Sequence, residues 1–215
     1  FIGSVDLDYK LHFFPDMKLH ATMGTDISEG KGTVYVPLEA ASNYSTYGLD
    51  YGYGPQKNTN RLLTLYANYS KYFEDIKSNV EATAGYDYQY WKSTTPAYAT
   101  LDAKGDILSQ IKASDYRHTL LSYYGRLNYT YDGKYLLTAT MRRDGTSRFS
   151  PDTRWGTFPS IALGWTLTQE NWLKDNKVLS NLKLRASYGV TGQQDGIGNY
   201  SYLPIYTQSI DGAQA

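Results

Sequence analysis

The feature that most constrains this chain is a period of two in hydrophobicity that recurs along its length. Val5, Leu7, Tyr9, Leu11 and Phe13 alternate with Ser4, Asp6, Asp8, Lys10 and His12. The same pattern returns at 17–23, 63–70, 80–90, 121–131, 135–142, 161–167 and 182–190. Successive side chains of a strand point to opposite faces, so each stretch reads as a strand with one apolar and one polar face. That makes about eight strands of roughly 9–13 residues, longer than the ~5–6 usual in water-soluble sheets and matched to the ~9–11 a tilted strand needs to cross a bilayer. No run approaches the ~18 apolar residues of a spanning helix.

The connections alternate too. Phe14-Pro15-Asp16, Glu74–Ser78 and Asp132-Gly133 are short, whereas 27–60 and 92–118 are long and 145–156 is intermediate. Residues 169–180 form a medium turn with a helical half-turn expected at Asn171-Trp172-Leu173-Lys174. Short turns on one side and long loops on the other are the habit of outer-membrane barrels. Parity constrains the Asp132-Gly133 hairpin. A two-residue turn would mix the faces, so a three-residue loop of Tyr131, Asp132 and Gly133 is expected, pairing Tyr129 with Tyr135 and Leu127 with Leu137.

Composition supports this class. There are 23 tyrosines, and they gather near strand ends. Phe13, Phe14, Tyr72, Phe73, Tyr129, Tyr131, Tyr135 and Trp172 lie by the short turns; Tyr86, Tyr88, Tyr90, Trp91, Trp155 and Tyr188 lie toward the long loops. Two such belts suit the two interfaces of a membrane. The 21 basic and 21 acidic residues cancel, so nothing draws the chain to nucleic acid. The absence of cysteine removes disulfides, thiolate metal sites and thiol nucleophiles.

Motifs for chemistry are weak. Gly30-Lys31-Gly32-Thr33 lacks the spacing and the strand-to-helix context of a phosphate loop. His12 and His20 fall on neighbouring strands with no third metal ligand evident. Asp6, Asp8, Lys10, Glu81, Asp87, Arg126, Arg142, Lys183 and Arg185 belong to polar faces. Asp6 and Asp8 read as partners for Lys10 and for cations of a neighbouring strand rather than as an acid–base pair. No catalytic residue, metal or cofactor is expected. Asn43-Tyr44-Ser45 fits a glycosylation sequon, which carries no weight in a bacterial outer membrane.

The second half carries more specific wording. Tyr131-Asp132-Gly133-Lys134-Tyr135-Leu136-Leu137, Met141–Phe149, Arg154–Ser160 and Leu163-Gly164-Trp165 resemble the barrel of SusC/RagA-type TonB-dependent outer-membrane transporters. So do Leu182–Gln193 and Gly196–Tyr200, while residues 1–119 look like preceding strands of such a barrel. The resemblance implies an all-β fold, an antiparallel transmembrane segment of about eight strands from a larger, 22-stranded barrel. It also implies a plug, contact with TonB, a SusD-like surface lipoprotein as partner, and import of oligosaccharides or peptides. Nothing here resembles a plug or a TonB-contacting segment. Phe1 already stands in a strand pattern and Ser209–Ala215 is loop-like. Residues 1–215 therefore read as a partial barrel domain of a multi-pass protein of the Gram-negative outer membrane, without plug and C-terminal strands. A self-contained small membrane barrel and a soluble carbohydrate-binding β-sandwich are the rival architectures.

Two groups of residues are candidates for contact. Tyr35, Tyr44, Tyr47, Tyr51, Tyr53 and Tyr98, in the long loops, suit stacking on sugar rings, packing on the partner lipoprotein, or packing on one another. Arg142, Arg143, Asp144, Arg148, Asp152 and Arg154 crowd one short stretch, where a salt-bridged rim network is favoured over contact with an anionic or hydroxyl-rich substrate.

Overall fold

The structure is a computed structural model, and it describes residues 1–41, 47–173 and 178–204. Strands β1 (Ile2–Lys10), β2 (Met17–Val36), β3 (Leu49–Phe73) and β4 (Ser78–Thr95) are followed by a small hairpin, β5 (Tyr98–Leu101) and β6 (Ile107–Ile111). Then come β7 (Ser114–Tyr131), β8 (Tyr135–Thr146), β9 (Trp155–Thr166) and β10 (Lys183–Gly189). Eight of them form one sheet in the order β1-β2-β3-β4-β7-β8-β9-β10, with β1 and β10 at its edges; β5 and β6 pair with each other. The eight expected strands are all present. No helix among the described residues is long and apolar enough to cross a membrane, which says nothing of crossing by strands.

The strands are longer than the alternation suggested. β2 has 20 residues and β3 has 25. Most of the expected long loop at 27–60 is therefore strand, and the connection shrinks to 37–48. The expected loop at 92–118 is likewise consumed by the ends of β4 and β7 and by the β5–β6 hairpin. The half-turn after β9 falls earlier than expected, as a 3-10 turn at Leu167–Gln169. Lys174 lies outside the described residues.

At the β7–β8 hairpin Tyr131 pairs with Tyr135 and Tyr129 with Leu137. The loop has three residues, as parity required, but they are Asp132, Gly133 and Lys134. The pairing is shifted by one cross-strand pair and every side chain keeps its face. The cause is backbone conformation: Asp132 and Gly133 both take positive φ, 49° and 67°, and the Lys134 amide donates to the Tyr131 carbonyl at 2.9 Å.

By contacts the chain divides into two units. One gathers Phe1–Ser4, Gly24–Leu62 and Gln89–His118; the other gathers Val5–Met23, Leu63–Tyr88 and Thr119–Ala215. The second unit shows what kind of sheet this is. Among the described residues the only buried hydrophobic side chain is Leu167. On the apolar face Leu127, Met141, Ile161, Leu163 and Leu184 are 40–61% exposed. A soluble sandwich buries that face against a second layer, and among the described residues no second layer covers it. This sheet has its apolar side outward, as a membrane wall does.

Aromatic residues bound the apolar face of β7–β9. Tyr131, Tyr135 and Trp165 stack at successive centroid distances of 6.3 Å. Toward the other end Tyr123 lies 5.4 Å from Tyr86 and 6.2 Å from Trp155. From Tyr123 to Tyr131 is about nine residues, the span a tilted strand uses to cross a bilayer. Trp91 departs from the expected belt; it stacks on His118 at 4.2 Å.

Ion pairs tie the short connections together. Lys71 holds Asp16 at 2.9 Å, Lys134 holds Asp132 at 3.1 Å, and Glu170 lies 3.8 Å from Lys134. Fully buried Ser78 bonds the Tyr129 hydroxyl at 2.9 Å and so fixes the β3–β4 turn to β7.

Candidate functional site

The polar face of the wall carries three hydrogen-bonded clusters. In the first, the Thr22 hydroxyl donates to Asp6 at 2.6 Å, while His20 contacts Thr22 through Nε2 at 2.7 Å and Asp8 through Nδ1 at 2.8 Å. The Tyr66 ring stacks on His20 at 4.6 Å. Asp6 and Asp8 are thus engaged by β2, through His20 and Thr22 rather than through Lys10. His12 turns instead to the Tyr9 hydroxyl at 3.0 Å. No group of three or more metal-capable side chains forms among the described residues.

In the second cluster Asn68 donates to Glu81 at 3.2 Å and to Thr83 at 2.9 Å; Asn128 donates to Glu81 at 3.4 Å and accepts from Thr138 at 2.9 Å. Four adjacent strands are joined this way. In the third, Arg142 reaches across β7. Its Nε donates to Asp144 at 2.7 Å, one terminal nitrogen donates to buried Ser122 at 2.8 Å, and the other lies 3.5 Å from Asp87 on β4. Its guanidinium stands 5.8 Å from the centre of the Tyr124 ring. Tyr124 fits only because its β4 neighbour is Gly85, where a Cβ would enter the ring.

The crowded stretch after β8 does not gather into one network. Arg142 and Asp144 pair on the polar face, whereas Arg143, one residue along, stands over Trp155 on the apolar face at 5.4 Å. Arg148 leaves the rim and holds the segment after β10, donating to Asn199 at 3.2 Å and to the Gln194 carbonyl at 2.9 Å. Asp152 is exposed. Arg154 lines a cavity of about 200 Å³ with Phe149, Trp155, Phe158 and Gln194. The alternation of a strand is what parts neighbours such as Arg142 and Arg143.

The first unit holds the tyrosines proposed for contact. Tyr51 and Tyr98 stack at 6.4 Å. Tyr47 is exposed, takes a positive φ of 52°, and carries the Lys104 ammonium 4.1 Å from its ring centre. Tyr53 covers Gly32, whose missing Cβ leaves room for the phenol. Tyr35 is 70% exposed. Tyr44 lies outside the described residues. Buried Asp102 organises the β5–β6 turn by accepting the Lys104 and Asp106 amides at 2.9 and 2.8 Å. The sequence reading passed over a neighbouring group. Asp115 takes two bonds from Arg117 and lies 3.6 Å from Lys92, and Trp91 stacks on His118. A Trp one residue out of phase with Tyr86, Tyr88 and Tyr90 was the available signal.

A long two-faced sheet with polar clusters on one side and a bare apolar side is the wall of a membrane barrel. Comparison with known proteins agrees. A family model described as "TonB dependent receptor-like, beta-barrel" matches residues 3–214. The TonB-dependent receptor SusC of Bacteroides thetaiotaomicron is 42% identical over 227 aligned residues, covering 100% of this chain and 22% of that protein. The TonB-dependent receptor P39 of Formosa agariphila is 37% identical, covering 65% of this chain and 14% of its own length. Among solved structures, one titled "Structure of the RagAB peptide transporter" superposes with a TM-score of 0.77 at 21% identity, over 93% of this chain and 23% of that one. That likeness concerns the fold. The chain matches only 22% of the length of the first of these curated relatives and 14% of the second.

Proposed function

This chain belongs to the TonB-dependent receptor β-barrel family, whose place is the outer membrane, and we propose that it forms part of the wall of a SusC/RagA-type importer of oligosaccharides or peptides. The observation that carries this reading is the match to SusC along the whole chain, made by a sheet whose apolar face is exposed and whose polar face is cross-linked. A pore wall needs both. The exposed side meets hydrocarbon, and the polar side keeps its charges paired where water and cargo pass.

In this reading residues 1–215 are about eight strands of a 22-stranded barrel. The plug and the TonB contact belong to other parts of the transporter, and a SusD-like lipoprotein covers the extracellular mouth. The two strands of each long connection, with Tyr35, Tyr47, Tyr51, Tyr53 and Tyr98, supply ring faces for sugars or for the lipoprotein. Arg142 and Asp144 brace the polar face near the long-connection end, and Arg148 anchors the segment after β10. These strands supply the wall of a transporter rather than bond-making chemistry, and by themselves import nothing.

The test is uptake in the native host. Deleting the protein that carries this sequence should abolish import of a labelled oligosaccharide or of a labelled peptide, and a protonophore should do the same to the intact strain. Unchanged uptake of both classes after deletion would overturn the proposal.

A further inference from the structure

On β8 the apolar face carries a charged residue that a hydrocarbon-facing wall does not need. Arg143 points outward from β8, opposite Tyr123 on β7 and Thr157 on β9. An arginine there is costly unless its charge is met. Its guanidinium lies 5.4 Å from the centre of the Trp155 ring, which covers one face of the cation. Its sequence neighbour Asp144 is on the other side of the sheet, held by Arg142 at 2.7 Å. Among the described residues no carboxylate forms an ion pair with Arg143. Among the described residues none accepts a hydrogen bond from the Arg143 guanidinium either, so its N–H donors can meet an anion outside them.

The surroundings say what that is. Trp155 lies across Gly145, where a Cβ would sit 2.9 Å from three ring carbons, and continues into Tyr123 at 6.2 Å. This places the cation beside the aromatic belt at the long-connection end, the level of headgroups. The next outward residue on β8 is Met141, 61% exposed. It opens an apolar groove of about 550 Å³ whose lining includes Gly125, Leu127, Ala139, Ile161 and Tyr188. Small residues at Gly125 and Ala139 make its floor, and larger ones its sides. Arg143 stands two residues from Met141 on the same strand face, beside this groove rather than in its lining, and a cation beside an apolar groove complements an anion carried on a hydrocarbon chain. Guanidinium matches phosphate in particular, through paired N–H···O bonds.

We propose that the outward face of β7–β9 is a binding site for a phosphorylated membrane lipid, with one acyl chain in the groove beside Met141 and the phosphate on Arg143. The site rests on the apolar face being lipid-facing, as in the proposed function, but not on any cargo, so lipid binding and uptake fail separately.

The test uses the intact protein carrying this sequence, extracted in a neutral detergent and studied by native mass spectrometry. Phosphatidylglycerol is compared with diacylglycerol of the same chains and with inorganic phosphate. Phosphatidylglycerol should be retained, diacylglycerol should not, and excess phosphate should not displace the lipid. Arg143→Gln should lower retention roughly tenfold, the scale of losing a charge-assisted bidentate contact, and Arg143→Lys should restore part of it. Ala139→Trp fills the groove without touching the charge and should lower retention as well. Unchanged retention in Arg143→Gln and Ala139→Trp would overturn the proposal. So would equal retention of diacylglycerol, or displacement by phosphate, which would mark a free-anion site.

Discussion

The two faces of β7–β9 are made by the same strands, yet they follow opposite rules. On the polar face, Arg142 satisfies Asp144, Ser122 and Asp87 together, and Thr138, Asn128, Glu81 and Asn68 form a chain of bonds. On the apolar face Leu127, Met141, Ile161 and Leu163 stand exposed. Each face also uses a glycine to seat a ring on the neighbouring strand, Gly85 under Tyr124 and Gly145 under Trp155. Stability in such a wall comes from backbone ladders and polar cross-links within the protein and from the solvent outside it. The hydrophobic effect acts on insertion into lipid, not on a buried core.

The largest expected effect breaks the apolar face. Leu163→Arg should destabilise the folded protein in lipid vesicles by about 2–4 kcal/mol, the depth-dependent cost of a cation against hydrocarbon. Ser160→Arg, on the exposed polar face of the same strand, should stay within about 0.5 kcal/mol. Urea unfolding from vesicles measures both, and equal effects would erase the distinction between faces.

Next are the glycine seats. Gly85→Ala and Gly145→Ala each drive a Cβ into a ring, and should cost about 1–3 kcal/mol. Trimming the ring (Tyr124→Ala or Trp155→Ala) should relieve part of each cost in a double-mutant cycle. Additive costs would show that the rings are not held there. Arg142→Met should follow at about 1–2 kcal/mol, since it strips hydrogen bonds from Asp144 and Ser122 at a partly exposed site.

The smallest effect lies at the turns. The Trp165 indole and the Tyr135 hydroxyl donate to Glu170 at 2.9 and 2.8 Å and hold its carboxyl below the ordinary value of 4.5. Its contribution is therefore present above pH 4.5 and is lost as pH falls through the lowered value. Asp132 raises Lys134 above 10.5, so that contribution is complete below pH 10.5 and fades as pH rises through the raised value. Melting curves of wild type and Glu170→Gln should converge at acid pH and separate at neutral pH. A constant gap across that range would remove Glu170 from the account.

The eight strands and their faces were legible because a sheet with one apolar and one polar face imposes a strict period of two. The pattern stops being informative where both sides are polar. Beyond Gly24, the run Thr25-Asp26-Ile27-Ser28-Glu29 has little contrast, yet β2 continues to Val36, since ladder bonds do not depend on side-chain polarity. For the same reason 27–60 looked like loop. The hairpin register was right in parity and one pair off, because positive φ at Asp132 leaves no trace in hydrophobicity. Arg142 and Arg143 looked like one charge cluster because linear proximity hides opposite faces. Contacts such as Trp91 with His118 join neighbouring strands that are far apart in sequence and carry no local signal.

The central claim is that one face of this sheet meets lipid. These 215 residues have no cysteine, so single cysteines placed in turn from Pro159 to Trp165, with any cysteine elsewhere in the intact protein replaced by serine, give unambiguous spin-label positions in the membrane-embedded protein. Collisions with oxygen, which partitions into hydrocarbon, are measured against collisions with a water-soluble nickel chelate. Oxygen access should peak at 159, 161, 163 and 165 and nickel access at 160, 162 and 164. Nickel access at Ile161 and Leu163 equal to that at Ser160 and Ala162 would contradict the account.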